Sequence, residues 1–512
     1  MLAGWCAWAG QAPVCNVLDY GAKNDGSARS TVAIRRAIEA CTASGGGTVY
    51  FPAGTYVTGA IQLASNLVLH IDAGATLRFH ADLSEYPLGP GRLEGVELIT
   101  PAPLIGGRNL ENVTITGRGT LTTDNAEWRK AANNPEARKL WADILQRIER
   151  KETVPEEDFR KAAPALRPSM IRPMDSKNIL IEGIHIVGSS MWTIHLLYCE
   201  NVVIRNVIVE TYPGANTDGI DIDSSREVRI SDSYFDTGDD AICIKSGRDV
   251  DGRRVGRVTE NIAITNCTVK RAHGAVVLGS ETAGGIRNVV ASNIVSKGTW
   301  HGIRIKSGRG RGGLLENIRF DNWVIDSPLR EAIIVTSYYT RVPQEPVSER
   351  TPVFRNIAIS NVTVSGAPAV ASIEGLPEMP IPGLRITDLV GSGKRGLQAF
   401  NTQGLELRNV RVDAAEGPAF LIRDSAGLDL DRVETRQPGA APVVRLDNCE
   451  NALVRGGRAW PGTGTFLSVP PGSLKAVTLE GNQLSDAKMP TEEAAGDFWQ
   501  SIATPDRPRA RK

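Results

Sequence analysis

The chain has 512 residues, with Lys plus Arg and Asp plus Glu both at 58, so bulk charge excludes a nucleic-acid or membrane-surface partner recruited by net charge. Fifty-two glycines, 41% hydrophobic residues and only 5% aromatics describe an ordered, turn-rich protein and exclude a disordered one. No apolar run is long enough to cross a bilayer as a helix. Seven cysteines (6, 15, 41, 199, 243, 267, 449) are spread without a Cys-x-x-Cys pair or metal spacing, and their odd number prevents complete intramolecular pairing. Cys41, Cys199 and Cys243 fall in apolar periodic stretches and read as small core residues.

Residues 1–15 are small and apolar without a basic segment, and Ala7-Trp8-Ala9 resembles a cleavage site. They read either as a signal-peptide remnant, which implies a secreted or periplasmic protein, or as a disordered N-terminus. Residues 16–85 form an N-terminal cap segment with the first strands. Ser30 is placed to cap a helix whose face carries Ile34, Ala37, Ile38 and Cys41, and Gly45-Gly46-Gly47 ends it. An amphipathic helix here would cover the open end of a β-stack.

An Asn-Val/Ile-x-Ile pattern then recurs, with starts near Asn112, Asn178, Asn201, Glu227, Asn261, Asn288, Asn317, Asn356, Gly383, Gly404, Gly427 and Asn451. Intervals of about 21–29 residues match one coil of three short strands. The fold class is therefore all-β: a right-handed parallel β-helix over 86–490, with Asn ladders linking its coils. Residues 125–167 interrupt it as a helical insertion, with Asn134 as cap, Pro135 in the first turn, and Leu140, Trp141, Ile144, Leu145 and Ile148 as an apolar stripe. Gly247–Arg257 is a second insertion, rich in arginine. Residues 491–512 read as a tail, basic and Pro-containing from Thr504.

Four segments carry chemistry: Asn216-Thr217-Asp218, Gly238-Asp239-Asp240, Ala272-His273-Gly274 and Arg304-Ile305-Lys306. Each falls at a similar distance after its repeat start, so coiling stacks them on one face. Strand alternation points Ile220 and Ile222 inward with Asp221 and Asp223 outward, and likewise sends Arg304 and Lys306 outward. Singly, such segments are commonly turns or solvated faces. Together they place carboxylates, an imidazole and two cations along about 15 Å of the axis, at about 4.8 Å per coil. That set suits acid/base hydrolysis of an acidic sugar chain.

These motifs, in this order on this background, closely resemble glycoside hydrolase family 28, the polygalacturonases, from Val17 to about residue 365. The Asp19–Tyr56 segment and Gly310-Arg311-Gly312-Gly313 resemble its bacterial branch. Ala272 stands where that family usually has Gly, and Trp300-His301 where a basic residue is common. The resemblance implies hydrolysis of α-1,4-galacturonosyl links in pectin or polygalacturonate with inversion, which takes two carboxyl groups about 6.5–9.5 Å apart. It implies Asp239 as general acid, a role that requires its carboxyl to keep a proton beside its neighbours. Asp218 and Asp240 would hold and deprotonate water, and His273 would tune the acid. Arg304 and Lys306 would grip a galacturonate carboxylate, with Asn216, Asp221, Glu281 and Tyr339 (or Tyr338) as further substrate contacts. No metal or cofactor is implied, and the protein would act as a monomer. The Arg-rich insertion, with Arg248, Arg253, Arg254 and Arg257, would bind extra carboxylates. With the helical insertion it would close the cleft for exo action. The alternatives are a Ca²⁺-dependent pectate lyase and a non-catalytic carbohydrate-binding β-helix.

Overall fold

The computed structural model describes residues 13–43 and 45–496. Short strands recur at each turn of the chain and pair in parallel with the equivalent strands of the coils before and after. One row runs in register through Ile194, Ile220, Ile242, Val276, Ile303 and Ile333. Period-two alternation builds the interior: in Thr259–Val269, Ile262, Ile264, Cys267 and Val269 point in and the residues between them face out. Stacking coils turns these faces into one continuous apolar core. The protein is a parallel β-helix.

The turns explain the recurring Asn. Asn112, Asn178, Asn201, Asn261, Asn288, Asn317 and Asn356 all adopt φ between 51° and 60°, a left-handed conformation that Asn tolerates better than most residues. Their amides bond from coil to coil: Asn288 donates to Asn261 at 2.9 Å, Asn317 to Asn288 at 3.1 Å, and Asn356 to Asn317 at 2.6 Å. Glu227 fills the same slot and accepts from Asn261 at 2.7 Å. Gly383, Gly404 and Gly427 keep the positive φ without the ladder.

The helix Thr31–Ala43 packs Ile34, Ala37, Ile38 and Cys41 against the first coil. Ser30 departs from expectation. Its hydroxyl faces back onto Lys23, accepting the Lys23 N–H at 3.0 Å, and only its carbonyl joins the helix, at Ile34. Cys41 is also more than a core residue, because it is disulfide-bonded to Cys15 on the strand Val14–Asn16. The helix folds back over that strand, a proximity that linear spacing does not reveal. Cys199, Cys243, Cys267 and Cys449 are buried thiols. The strands of 16–85 belong to the same sheet as the rest: Leu67–Ile71 pairs with Glu111–Gly117, which pairs with Lys177–Glu182. Of the expected leader 1–15 and tail 491–512, residues 1–12 and 497–512 lie outside the described residues, whereas Val14–Asn16 and Met489–Glu493 are strands paired into the sheet, so both boundaries lie inside the fold.

The insertion at 125–167 forms the helices Asn125–Ala131, Pro135–Glu149 and Glu156–Ala162. Asn134 caps the second by accepting the Ala137 N–H at 3.0 Å. The Arg-rich insertion contains the helix Asp249–Val255, closed by Gly256 at φ 61°. A third insertion escaped the sequence reading. Leu88–Leu93 and Val96–Pro101 form an antiparallel hairpin outside the coil. Its first strand holds Gly89-Pro90-Gly91, residue types that favour turns. Cross-strand pairing overrides that preference.

The ladder predicts a stability effect at Asn261. Asn261→Ala loses two ladder bonds and puts a residue less tolerant of positive φ than Asn at that turn, which should cost about 2 kcal/mol. Asn261→Gly removes the same bonds while relieving the backbone, so it should cost less. Urea unfolding of both variants checks this; equal losses would show that the conformational preference contributes nothing.

Candidate active site

The strands Ile220–Asp223, Ile242–Lys245, Gly274–Leu278 and His301–Lys306 lie side by side. Asp221, Cys243, Val277 and Arg304 share one outward row, and Asp223 pairs with Lys245 in the next. Asp218 and Asp240 precede their strands at equivalent positions, and Gly219 N–H donates to the Asp240 carbonyl at 3.0 Å. The groups therefore do not share one phase, as equal counting from repeat starts suggested. Asp218 and Asp240 stack, His273 sits a residue earlier on its coil, and Arg304 lies farther along its strand. Turn lengths differ between coils, which shifts the count without breaking the sheet register.

Asn216, Asp218, Asp239, Asp240, His273, Glu281, Arg304, Lys306 and Tyr339 all line one cavity of 1320 Å³. Asp221 does not. It is fully buried beneath the floor, so it does not contact substrate as the resemblance implied. The row alternation aimed it outward, but outward at this place means beneath Lys245, whose Nζ stands 3.5 Å from Asp221 Oδ1.

Asp240 is the electrostatic centre. Its Oδ2 accepts from Lys306 Nζ at 2.7 Å, and Arg304 Nη1 stands 3.4 Å from Oδ1. Burial alone would raise its pKa, yet Lys306, Arg304 and Lys245 together hold it well below the usual carboxylate range. Arg304 and Lys306 are thus engaged with a catalytic-face carboxylate before any substrate arrives, a partnership that strand alternation could not foresee. Arg304 Nε is buried and has no hydrogen-bond partner among the described residues. Asp218 is the opposite case. Burial and the facing Asp221 and Asp239 push its pKa well up, with Lys245 only partly opposing them at 3.8 Å. Asp239 is part-exposed, and its Oδ1 lies 2.9 Å from His273 Nδ1. The nearest oxygens of Asp239 and Asp240 come within 4.8 Å, as do those of Asp218 and Asp240. These closest-atom approaches run shorter than separations measured between whole carboxyl groups.

Lys245 is a central residue that no sequence motif marks. Its Nζ donates to Glu281 at 3.2 Å, lies beside Asp218 and Asp221, and sits 4.1 Å over the Trp192 ring. Burial raises the pKa of Glu281, but Lys245 and Arg311 pull it down to about 2. Read as the inward-outward alternation of Ile242-Cys243-Ile244-Lys245, the residue could have been flagged as outward beside Asp223. Its partners could not. Those partners also bear on metal binding. One ligand atom each from Asp218, Asp240 and Cys243 lies within 4.8 Å of the others. Lys306 and Arg304 already pair with Asp240, and the Asp218 carboxyl is pushed toward its protonated form, which does not suit a hard cation wanting many oxygen ligands.

All three insertions wall the cavity. The helical one contributes Arg129, Lys130, Arg138, Trp141 and Arg167, the hairpin tip Leu93 and Glu94, and the Arg-rich insertion Arg248. Arg167 clasps the site, donating to Asn216 Oδ1 at 3.0 Å and to the Ser190 carbonyl at 2.7 Å. The hairpin is anchored by fully buried Arg92, which donates to Asp223 Oδ1 at 2.8 Å. Of the loop arginines expected to bind extra carboxylates, only Arg248 reaches the cavity. Arg253 donates to the Gly310 carbonyl, Arg254 pairs with Glu97 and Asp251, and Arg257 with Asp175. Their job is to tie the insertion down.

Comparison with known proteins matches residues 159–378 to the model of glycosyl hydrolases family 28, and residues 14–81 to that of rhamnogalacturonase A/epimerase, pectate lyase-like proteins. The crystal structure of a hyperthermoactive exopolygalacturonase from Thermotoga maritima is 32% identical with a TM-score of 0.68, covering 77% of this chain and 91% of that one. The chain belongs to glycosyl hydrolase family 28. Among other relatives of this family-28 hydrolase, a probable polygalacturonase of Vitis vinifera is 29% identical over 392 residues, 74% of each chain. An exo-poly-alpha-D-galacturonosidase of Dickeya chrysanthemi is 30% identical over 381 residues, 69% of this chain and 62% of that protein. The chain is thus a glycoside hydrolase.

Lys245→Met tests the buried network. It leaves Glu281, Asp218 and Asp221 without their shared cation, and breaking a buried ion pair from one side costs about 3–5 kcal/mol. Chemical unfolding should register that loss. Unchanged stability would show that the three carboxyl groups are neutral without Lys245.

Proposed function

We propose that this family-28 hydrolase cleaves α-1,4-galacturonosyl linkages of polygalacturonate from a chain end by inversion. The observation that carries the reading is the charge layout of the cavity: Asp239, Asp218 and Asp240 converge beneath a rim where basic side chains outnumber acidic ones. Asp239 donates its proton to the glycosidic oxygen as the C1–O bond breaks, with His273 at its side. Asp240, kept ionised by Lys306 and Arg304, takes a proton from water as that water attacks C1. Asp218 lies within reach to orient the water. Arg304, Arg248 and Tyr339, which line the cavity, meet the sugar and its carboxylate, and charge-assisted contacts of that kind gain strength in a partly dry cleft.

End-on cleavage is supported by the three insertions that wall the cavity, which favour a pocket over an open track. A lyase that needs Ca²⁺ would require free carboxylates, whereas Asp240 is paired with Lys306 and Arg304 and Asp218 tends to keep its proton, so activity should persist in chelator. The Cys15–Cys41 disulfide supports export to an oxidising compartment, the periplasm or the exterior. Pectin of the plant cell wall is the natural polymer of this type, and the cap helix over the first coil suits a monomer.

Product analysis on polygalacturonate checks the proposal. Mono- or digalacturonate should appear from the earliest times while viscosity falls little; mixed mid-length oligomers with a rapid viscosity drop would contradict end-on cleavage. Asp239→Asn should lower the rate by about 10²–10⁴ while leaving ligand affinity nearly intact, since general acid catalysis is worth that much. Activity near wild type would remove Asp239 from the acid role.

A further inference from the structure

His273 is held on two sides. Its Nδ1 meets Asp239 Oδ1 at 2.9 Å, and its ring lies flat on the indole of Trp300, with centroids 3.7 Å apart and planes 19° from parallel. Backbone bonds fix the stacking order. The Trp300 N–H donates to the Ala272 carbonyl at 2.9 Å, and the Arg330 N–H to the Trp300 carbonyl at 3.1 Å, so His273, Trp300 and Arg330 stand on three successive coils. The Arg330 guanidinium lies 4.2 Å from the Trp300 ring centre. One face of the indole is therefore covered by imidazole and the other by guanidinium. Although Trp300 lines the cavity, it has no open face on which a sugar ring could stack.

We infer that Trp300 is a positioning residue for hydrolysis: its indole fixes the His273 imidazole so that Nδ1 stays directed at Asp239. An imidazole on a part-exposed turn would otherwise rotate about its side-chain bonds. The stack removes that freedom. This role rests on the proposed assignment of Asp239 as the acid, while the stack itself does not. Here His273 is steadied by an aromatic plane.

Two measurements separate the possibilities. On trigalacturonate, Trp300→Ala should lower kcat about 10- to 100-fold with KM nearly unchanged, the scale of a misplaced catalytic group. Trp300→Phe, which retains a flat face, should recover most of that loss. A raised KM with unchanged kcat would make Trp300 a sugar contact and overturn the inference, as would a well-folded Trp300→Phe as slow as Trp300→Ala. The second readout needs no activity. Protonated imidazole quenches indole emission on contact, so the fluorescence of wild type minus that of Trp300→Phe should carry a pH-dependent step that His273→Gln removes. The Trp192–His195 edge contact, at 5.0 Å, is common to both proteins and cancels. A difference signal without that step would show that the stack does not exist in solution, whatever the substrate proves to be.

Discussion

A carboxylate buried in the floor of the groove, held by two cations from another coil, is the constraint on which this site depends. Asp240 is 1% exposed and keeps its charge because Lys306 and Arg304 meet it from the His301–Lys306 strand. Isolated, such a charge would be neutralised by taking up a proton. The parallel coil solves the problem by register: residues more than sixty positions apart are brought onto neighbouring rows. The same register makes the other half of the site different. Lys245 divides its charge among Glu281, Asp221 and Asp218, so Asp218 is poorly compensated and tends to keep its proton. Two stacked aspartates thereby acquire opposite character, which is how one environment can separate a base from its helper.

Much of this was legible in the sequence because the β-helix writes its period into the chain. The Asn that takes positive φ at each turn recurs because few residues tolerate that conformation, and Glu227 and the glycines at 383, 404 and 427 fit the same explanation. Alternation in Ile303-Arg304-Ile305-Lys306 read the faces correctly. It failed where the face is not solvent: Asp221 points out of the coil and is nonetheless buried, since Lys245 and its neighbours cover it. Capping signals at Asn134 and Pro135 located the insertion helix, while Ser30 carried the same signal and spent its hydroxyl on Lys23. The Cys15–Cys41 bond, the hairpin at 88–101 and the partners of Arg92 depend on tertiary proximity, which no local pattern encodes.

The insertions give a regular solenoid its individuality. Coils alone make a groove open at both ends, because each coil repeats the last. Here the hairpin, the helical segment and the Arg-rich loop rise from different coils and are pinned to the catalytic coils and to one another. Arg92 ties the hairpin to Asp223, Arg254 ties the loop to Glu97 of the hairpin, and Arg167 ties the helical segment to Asn216. Buried or part-buried pairs of this kind specify position more than they add stability. Their arrangement shapes the cavity while leaving the catalytic strands regular.

The pH dependence of kcat/KM in Lys306→Met, compared with wild type, tests the central claim most directly. A base works only when ionised, and Lys306 lowers the pKa of Asp240, so removing it must raise that pKa and carry the acidic limb of the profile with it. An upward displacement of about one pH unit or more is predicted, since one unit corresponds to about 1.4 kcal/mol and a buried charge-assisted bond is worth at least that. An acidic limb that stays in place while KM alone rises would contradict the account. Lys306 would then serve the substrate, and Asp240 would owe its charge to something else.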